Sequence, residues 1–314
     1  MKKLILINCY FGKLPEYVDF YLKSAGANPT VDFLLVTDDK TQRDCPQNVI
    51  VKYMSFAELK EEVQKQFDFE ISLSAPYKLC DYKPTYGKVF YQTVKSYDFW
   101  GYADIDLIFG DIRSFITDEV LFSHDKIQSA GHFTLLPTTD EGINFFTYEI
   151  EGISYKKAFT TDQNLAFDEW AGVSTVYKIL GKKVYNEVND FADLSYKHWY
   201  FLPSEEVYRR GSCEKKWWSS NIVYLWQKGQ LYTVALSDEG KVTKKPCMYV
   251  HFQKRKVVAK CGVADEFLIL PPGKIVAYNE EITPKFLKKH AKEKKFYFEY
   301  FKLRYKNFLK KLKK

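Results

Sequence analysis

The chain has 314 residues, with 46% hydrophobic and 28% charged residues, which excludes a disordered chain and a membrane-embedded bundle. The formal net charge of +7 is unevenly distributed: residues 285–314 hold thirteen Lys and Arg against two Glu and carry +11, leaving −4 on the rest. This reads as a globular body of one large or two smaller domains with a basic interaction segment at its end.

In chain order, residues 4–8 form a short apolar run that predicts a first buried strand, and 15–24 have helical spacing. Residues 33–37 and 49–53 predict two further strands, and 56–66 a helix. This β-α-β rhythm argues for a parallel sheet flanked by helices. A polar and aromatic stretch, 76–87, precedes a helical stretch to about 96; strands are expected at 99–103 and 131–136. Residues 162–170 and 174–178 are mixed, and 185–245 alternate like hairpins around Gly211 and Gly229, with Lys216-Trp217-Trp218 between them. A late strand falls at 248–252, and Pro271-Pro272-Gly273 marks the expected boundary between a body, 1–270, and a linker with a helical tail, 271–314. There is no apolar run of about 20 residues and no long apolar leader. The six cysteines have no metal-type spacing, so they are expected to be reduced thiols in a cytosolic protein. The high aromatic share, 18%, suits sugar rings or reflects an A+T-rich genome.

Four groups of residues carry possible chemistry. Asp104 and Asp106 follow the strand at 99–103. Alternation at a strand end points both carboxylates the same way, and hard oxygen ligands suit Mg²⁺ or Mn²⁺ shared with a diphosphate; the alternative is a solvated loop. Asp81 and Lys83 precede a helix, where the acid can accept hydroxyl hydrogen bonds and the lysine can neutralise a phosphate. His251, in an alternating strand, can complete a Mn²⁺ site, with Lys254 or Arg255 beside it to bind a leaving diphosphate; a lone strand histidine is otherwise structural. Asp168 and Glu169 can supply a base that takes the proton of an attacking hydroxyl. Walker A, GxGxxG, GxSxG, HExxH and zinc spacings are missing from the sequence.

The order of these pieces resembles the GT-A glycosyltransferases. The segments Lys-Leu-Cys-Asp-Tyr-Lys-Pro-Thr-Tyr-Gly at 78–87, Phe-Trp-Gly-Tyr-Ala-Asp-Ile-Asp-Leu-Ile-Phe-Gly-Asp-Ile at 99–112 and Gly-His-Phe-Thr-Leu at 131–135 are similar to a bacterial group from capsule and surface-polysaccharide clusters, the DUF6625 group, some of whose relatives are assigned as galactofuranosyltransferases. The resemblance spans about 1–265. It implies an α/β fold with a Rossmann-like mixed sheet, and transfer of a hexosyl unit, galactofuranosyl in some relatives, from a UDP-sugar to a saccharide or undecaprenyl-diphosphate-linked acceptor. It assigns Asp104, Asp106 and His251 to the metal. Tyr10, Phe11, Asp38, Asp81, Lys83, Asp104 and Lys254 go to the donor, and Asp168 or Glu169 is the base of an inverting reaction. Transfer of a sugar-phosphate or polyol-phosphate, and non-catalytic carbohydrate binding, stay open beside it.

Residues 285–314 read as one amphipathic helix, with Tyr297, Phe301, Tyr305, Phe308 and Leu312 on one stripe and Lys295, Lys302, Lys306 and Lys313 on another. This pattern suits an anionic membrane surface; packing of the stripe on the body is the alternative. No nucleic-acid motif accompanies the charge. The expected location is cytoplasmic, peripheral on the inner face of the cell membrane.

Overall fold

In the computed structural model, residues 1–187, 189–204 and 221–312 are described. They form two compact units: residues 1–105 with 113–187, and residues 106–112 with 188–314. Gly211 and Lys216-Trp217-Trp218 fall outside the described residues.

The first unit is α/β, built on a seven-stranded mixed sheet with flanking helices. Its strands are β1 (Leu4–Tyr10), β2 (Val31–Thr37), β3 (Val49–Tyr53), β4 (Phe99–Ala103), β6 (Lys126–Ile127), β7 (Phe133–Pro137) and β8 (Val184–Tyr185), in the order β3-β2-β1-β4-β7-β6-β8. Strand β1 is apolar from Leu4 to Ile7 because both faces are covered there; these four residues are at most 1% exposed. It lies parallel to β2 and to β4, whereas β7 runs antiparallel to β4. The chain leaves β1 on one side, through α1 (Val18–Gly26) to β2, and returns as β4 on the other. The carboxyl ends of β1 and β4 are therefore a topological switch point, where open α/β sheets form clefts. Gly101 in β4 is required there, since a Cβ would stand 1.9 Å from the Thr134 carbonyl oxygen on β7. Helix α2 (Phe56–Gln64) starts at a capping box: Ser55 Oγ accepts from the Glu58 N–H, and the Glu58 carboxylate accepts from the Ser55 N–H. The polar and aromatic stretch at 76–87 is a chain of short helical turns.

The second unit holds two sheets. Strands β5 (Leu107–Phe109), β13 (Tyr249–His251) and β9 (Ala192–Asp193) form the order β5-β13-β9. The other sheet has the order β12-β11-β10-β15-β16-β14, built from β10 (Ile222–Gln227), β11 (Gln230–Leu236), β12 (Val242–Pro246), β14 (Val258–Ala259), β15 (Glu266–Leu270) and β16 (Lys274–Ala277). The hairpin expected around Gly229 joins β10 to β11, with Lys228 and Gly229 both at positive φ, 50° and 86°. Residues 271–273, read from the sequence as a boundary, are the turn of the β15–β16 hairpin, in which Leu270 faces Lys274.

The basic segment is two helices and not one. Pro284–His290 starts at Thr283, whose hydroxyl accepts from the Phe286 N–H, and buries Phe286 and Leu287 with Ala291 against Leu225, Val234 and Leu268 of the six-stranded sheet. The lysine-rich residues 292–295 offer no apolar position to continue that stripe, and a second helix, Phe298–Leu312, follows. Tyr297 is buried and anchors its start, near the Arg255 guanidinium and with Tyr300 against Tyr196. Of the expected stripe, Tyr297 packs on its own unit, whereas Phe301, Tyr305 and Phe308, with the neighbouring Phe298, are 50–65% exposed.

Candidate functional site

At the carboxyl end of β4, Asn8 on β1 donates to the Ala103 carbonyl at 2.5 Å, and the Asp104 N–H donates to His132 at 2.9 Å, continuing the β4–β7 ladder. Lys83 Nζ then reaches three acceptors: Asp104 Oδ1 at 2.6 Å, Asp168 Oδ2 at 3.0 Å and the Gly131 carbonyl at 2.8 Å. Lys83 and Asp168 are buried, while Asp104 keeps 29% of its side chain exposed. Burial by itself lowers the affinity of Lys83 for its proton, yet Asp104 and Asp168 hold its pKa well above the ordinary lysine value. Burial pushes the Asp168 carboxyl up to about 7, with Lys83 opposing and Glu169 and Asp104 adding to the rise. Asp168 Oδ1 is buried without a hydrogen-bond partner. Gly131 leaves room for this carboxylate, because a Cβ there would sit 2.2 Å from Asp168 Oδ2; its N–H donates to Glu169 Oε2 at 3.3 Å. Glu169 is half-buried.

Asp81 corrects an expectation. It was expected to face a donor hydroxyl, but it is fully buried and both oxygens are occupied. Oδ1 accepts from the Phe167 N–H at 2.8 Å, and Oδ2 from the Leu165 N–H at 2.9 Å and Lys78 Nζ at 2.6 Å. Lys78 also donates to the Ala158 and Gln163 carbonyls, at 2.8 and 2.5 Å. The pair clamps the 158–167 segment and so holds Asp168 in place. Lys78 and Gly131 were missed as supporting residues; the i, i+3 spacing of Lys78 and Asp81 was the available signal for the first.

Phe11 is a second correction. It was expected to flank a nucleotide base, but it is buried in the main core of this unit, edge-on to Phe56 at 5.5 Å. Tyr10, at the end of β1, is half-buried. Asp38 is exposed and accepts from the Gly12 N–H at 2.7 Å, which fixes the loop after β1; Gly12 has φ 92°.

In the second unit, the β5–β13 register puts His251 opposite Leu107, and β13–β9 puts it opposite Asp193. His251 Nε2 lies 3.4 Å from Asp106 Oδ1, and Nδ1 lies 2.8 Å from Asp193 Oδ1, which Gln253 also contacts at 2.6 Å. Burial would lower the histidine pKa, but Asp106 first and then Asp193 raise it well above the ordinary 6.5. A carboxylate on the far ring nitrogen orients an imidazole for a ligand on the near one. Asp193 had no sequence signal, since it lies 58 residues from His251. Arg255, considered for a diphosphate, is instead buried and donates to the carbonyls of Pro272, Ser195, His198 and Tyr200. Lys254 is exposed, with Nζ 5.6 Å from the Tyr196 ring, and lines a pocket of about 200 Å³ with Tyr297, Lys302 and Lys306. The unit boundary passes between Ile105 and Asp106, so the Asp-x-Asp contributes one carboxylate to each of these clusters.

Cys9, Cys45, Cys80, Cys247 and Cys261 are free thiols. Among the described residues, no helix is long and apolar enough to cross a membrane.

No curated protein matches the chain. Among solved structures it is similar to an active-site mutant of LgtC, with a TM-score of 0.39 and 11% identity over 68% of this chain and 79% of that one. It is also similar to the galactosyltransferase LgtC in complex with donor and acceptor sugar analogues, with a TM-score of 0.33 and 13% identity over 65% and 78% of the two chains. For mouse xyloside xylosyltransferase 1 the TM-score is 0.28, with 11% identity over 59% and 77%. These likenesses are distant. The family described as a family of unknown function, DUF6625, matches residues 6–279, and the chain belongs to it.

Proposed function

We propose that this chain is a glycosyltransferase that moves a hexosyl unit from a UDP-sugar to a saccharide or lipid-linked acceptor in surface-polysaccharide synthesis. The observation that carries the reading is the Asp-x-Asp at the carboxyl end of β4, beside the switch point, with Asp104 held by a buried lysine and Asp106 paired to an imidazole. Asp104, Asp106 and His251 are the donor set for Mn²⁺ or Mg²⁺. Two carboxylates and an imidazole suit such an ion, and the Asp193–His251 contact supports a ligating ring. A divalent cation bound there supplies charge against the leaving diphosphate.

The protein's own groups do the rest. Lys83 fixes the rotamer of Asp104 and adds positive charge at the same place. Tyr10 and Asp38 flank the nucleotide end of the donor, and Asp38 orders the loop by holding Gly12. Lys254 lies beyond Gln253, after the strand that carries His251, and serves donor phosphates only if its exposed side chain turns away from Tyr196. Glu169 is the better placed of the two acids to take the acceptor proton in an inverting reaction, because Asp168 is buried and engaged by Lys83.

Asp106→Asn is expected to lower transfer from UDP-sugars by at least about a hundredfold, as loss of a charge-stabilising group does, with an unchanged circular-dichroism spectrum. Transfer within a few-fold of wild type would overturn the metal assignment.

Residues 296–314 are proposed to lie on an anionic bilayer. The exposed Phe298, Phe301, Tyr305 and Phe308 enter the interface, and Lys302, Arg304 and Lys306 add about 1 kcal/mol each near it. A chain truncated after residue 295 is expected to lose sedimentation with phosphatidylserine vesicles at low salt; unchanged sedimentation excludes this surface.

A further inference from the structure

The second unit contains a cavity of about 520 Å³ that none of the roles above uses. That volume falls in the usual range for small-molecule sites. Its floor is the Leu268–Leu270 strand and Val276, and its walls are Trp199 and Phe286. Strand β14 pairs with β16 at the sheet edge, which brings Lys260 and Lys274 to the cavity; helix Pro284–His290 and the segment after it contribute Lys289 and Lys294.

The charge is unbalanced. Four lysines line the cavity against one acid, Glu280, and among the described residues none of the four is within 4.0 Å of a carboxylate. Lys294 Nζ instead lies over the Trp199 ring, 4.2 Å from its centroid. Clustered like charges raise the energy of the empty site and are relieved by a bound anion. A second observation is independent of the lysines. His290 also lines the cavity, and its Nε2 is buried with no hydrogen-bond partner. An unpaired buried polar atom is destabilising, and a ligand hydroxyl or anionic oxygen would remove that penalty.

We propose that this cavity binds an anionic saccharide: the lysines take its phosphate or carboxylate groups, His290 takes an oxygen, and the half-buried Trp199 ring packs against the sugar. Lysine serves as a point charge for such groups, and tryptophan offers a rigid amphipathic face. A recessed pocket of this size with a tryptophan wall suits a short glycan better than the backbone of a duplex, which needs an extended stripe. This is a binding site separate in role from the transferase reading and does not depend on it.

The test is calorimetric titration of the full chain with three probes: maltotetraose, its phosphorylated form, and a glucuronate-containing tetrasaccharide. At least one anionic probe is expected to bind tenfold or more tightly than maltotetraose. Lys260→Glu with Lys274→Glu, two exposed positions outside the basic tail, is expected to weaken that binding at least tenfold, and Trp199→Ala to weaken it further, with unchanged thermal unfolding. The tighter of the two anionic probes identifies phosphate or carboxylate as the recognised group. The proposal is overturned if neither anionic probe binds, if maltotetraose binds as well as they do, if the lysine double variant binds like wild type, or if a single-stranded oligonucleotide of equal charge binds more tightly. The readout needs no sugar transfer, so an inactive enzyme would count only against the transferase reading.

Discussion

Two buried lysine–aspartate pairs in the first unit, built on lysines five residues apart in the chain, behave differently. In Lys78–Asp81, separated by 2.6 Å, both carboxylate oxygens and the ammonium also meet backbone groups. In Lys83–Asp168, separated by 3.0 Å, one carboxylate oxygen has no partner, and the lysine is shared with Asp104. Burial is nearly equal, with all four side chains under 10% exposed. The difference is therefore in hydrogen-bond satisfaction. A fully satisfied pair is a clamp, and a partly satisfied one stores charge that a ligand or a proton can change.

The largest expected effect breaks the clamp. Asp81→Ala leaves the Lys78 charge buried and unpaired and frees two backbone N–H groups, which is expected to cost about 3–5 kcal/mol. Denaturant titration measures this directly, and a loss below about 1 kcal/mol would show that the pair is no more than a surface-type ion pair.

A smaller effect sharpens the comparison at Asp168. Its carboxyl is raised in the folded state to about 7, from 3.8. The folded protein therefore holds a proton that the unfolded chain has released between those values. The associated stability is fully present below about pH 3.8 and is lost as pH rises through about 7. Asp168→Asn has nothing to ionise, so its stability relative to wild type is expected to increase as pH rises from 4 to 7.5. A difference between the two proteins that is flat with pH would contradict the raised carboxyl.

Much of the first unit was legible from the sequence. The apolar run at 4–8, the runs at 33–37 and 49–53 and the helix beginning at Phe56 all became elements near those positions, because each is decided by local patterning and a local cap. The strand at 99–103 and the two aspartates after it were legible for the same reason. The environment of each candidate side chain was not. Asp81 finds its N–H partners 84 and 86 residues away, and His251 finds Asp193 at a distance of 58 residues. Phe11 sits in the core because Phe56 comes to meet it, and Arg255 serves carbonyls rather than a ligand because the chain returns over it at 195–200 and at Pro272.

The charge distribution shows the same division. Sequence alone determined that the final thirty residues carry +11, since charge is a property of composition. Only the tertiary structure decided that they serve two ends: the helix Pro284–His290 gives its apolar face to a sheet, while the helix Phe298–Leu312 keeps Phe298, Phe301, Tyr305 and Phe308 exposed. The physical reason is that a side chain's type is set locally, but its burial and its partners are set by whichever distant strand or helix packs against it.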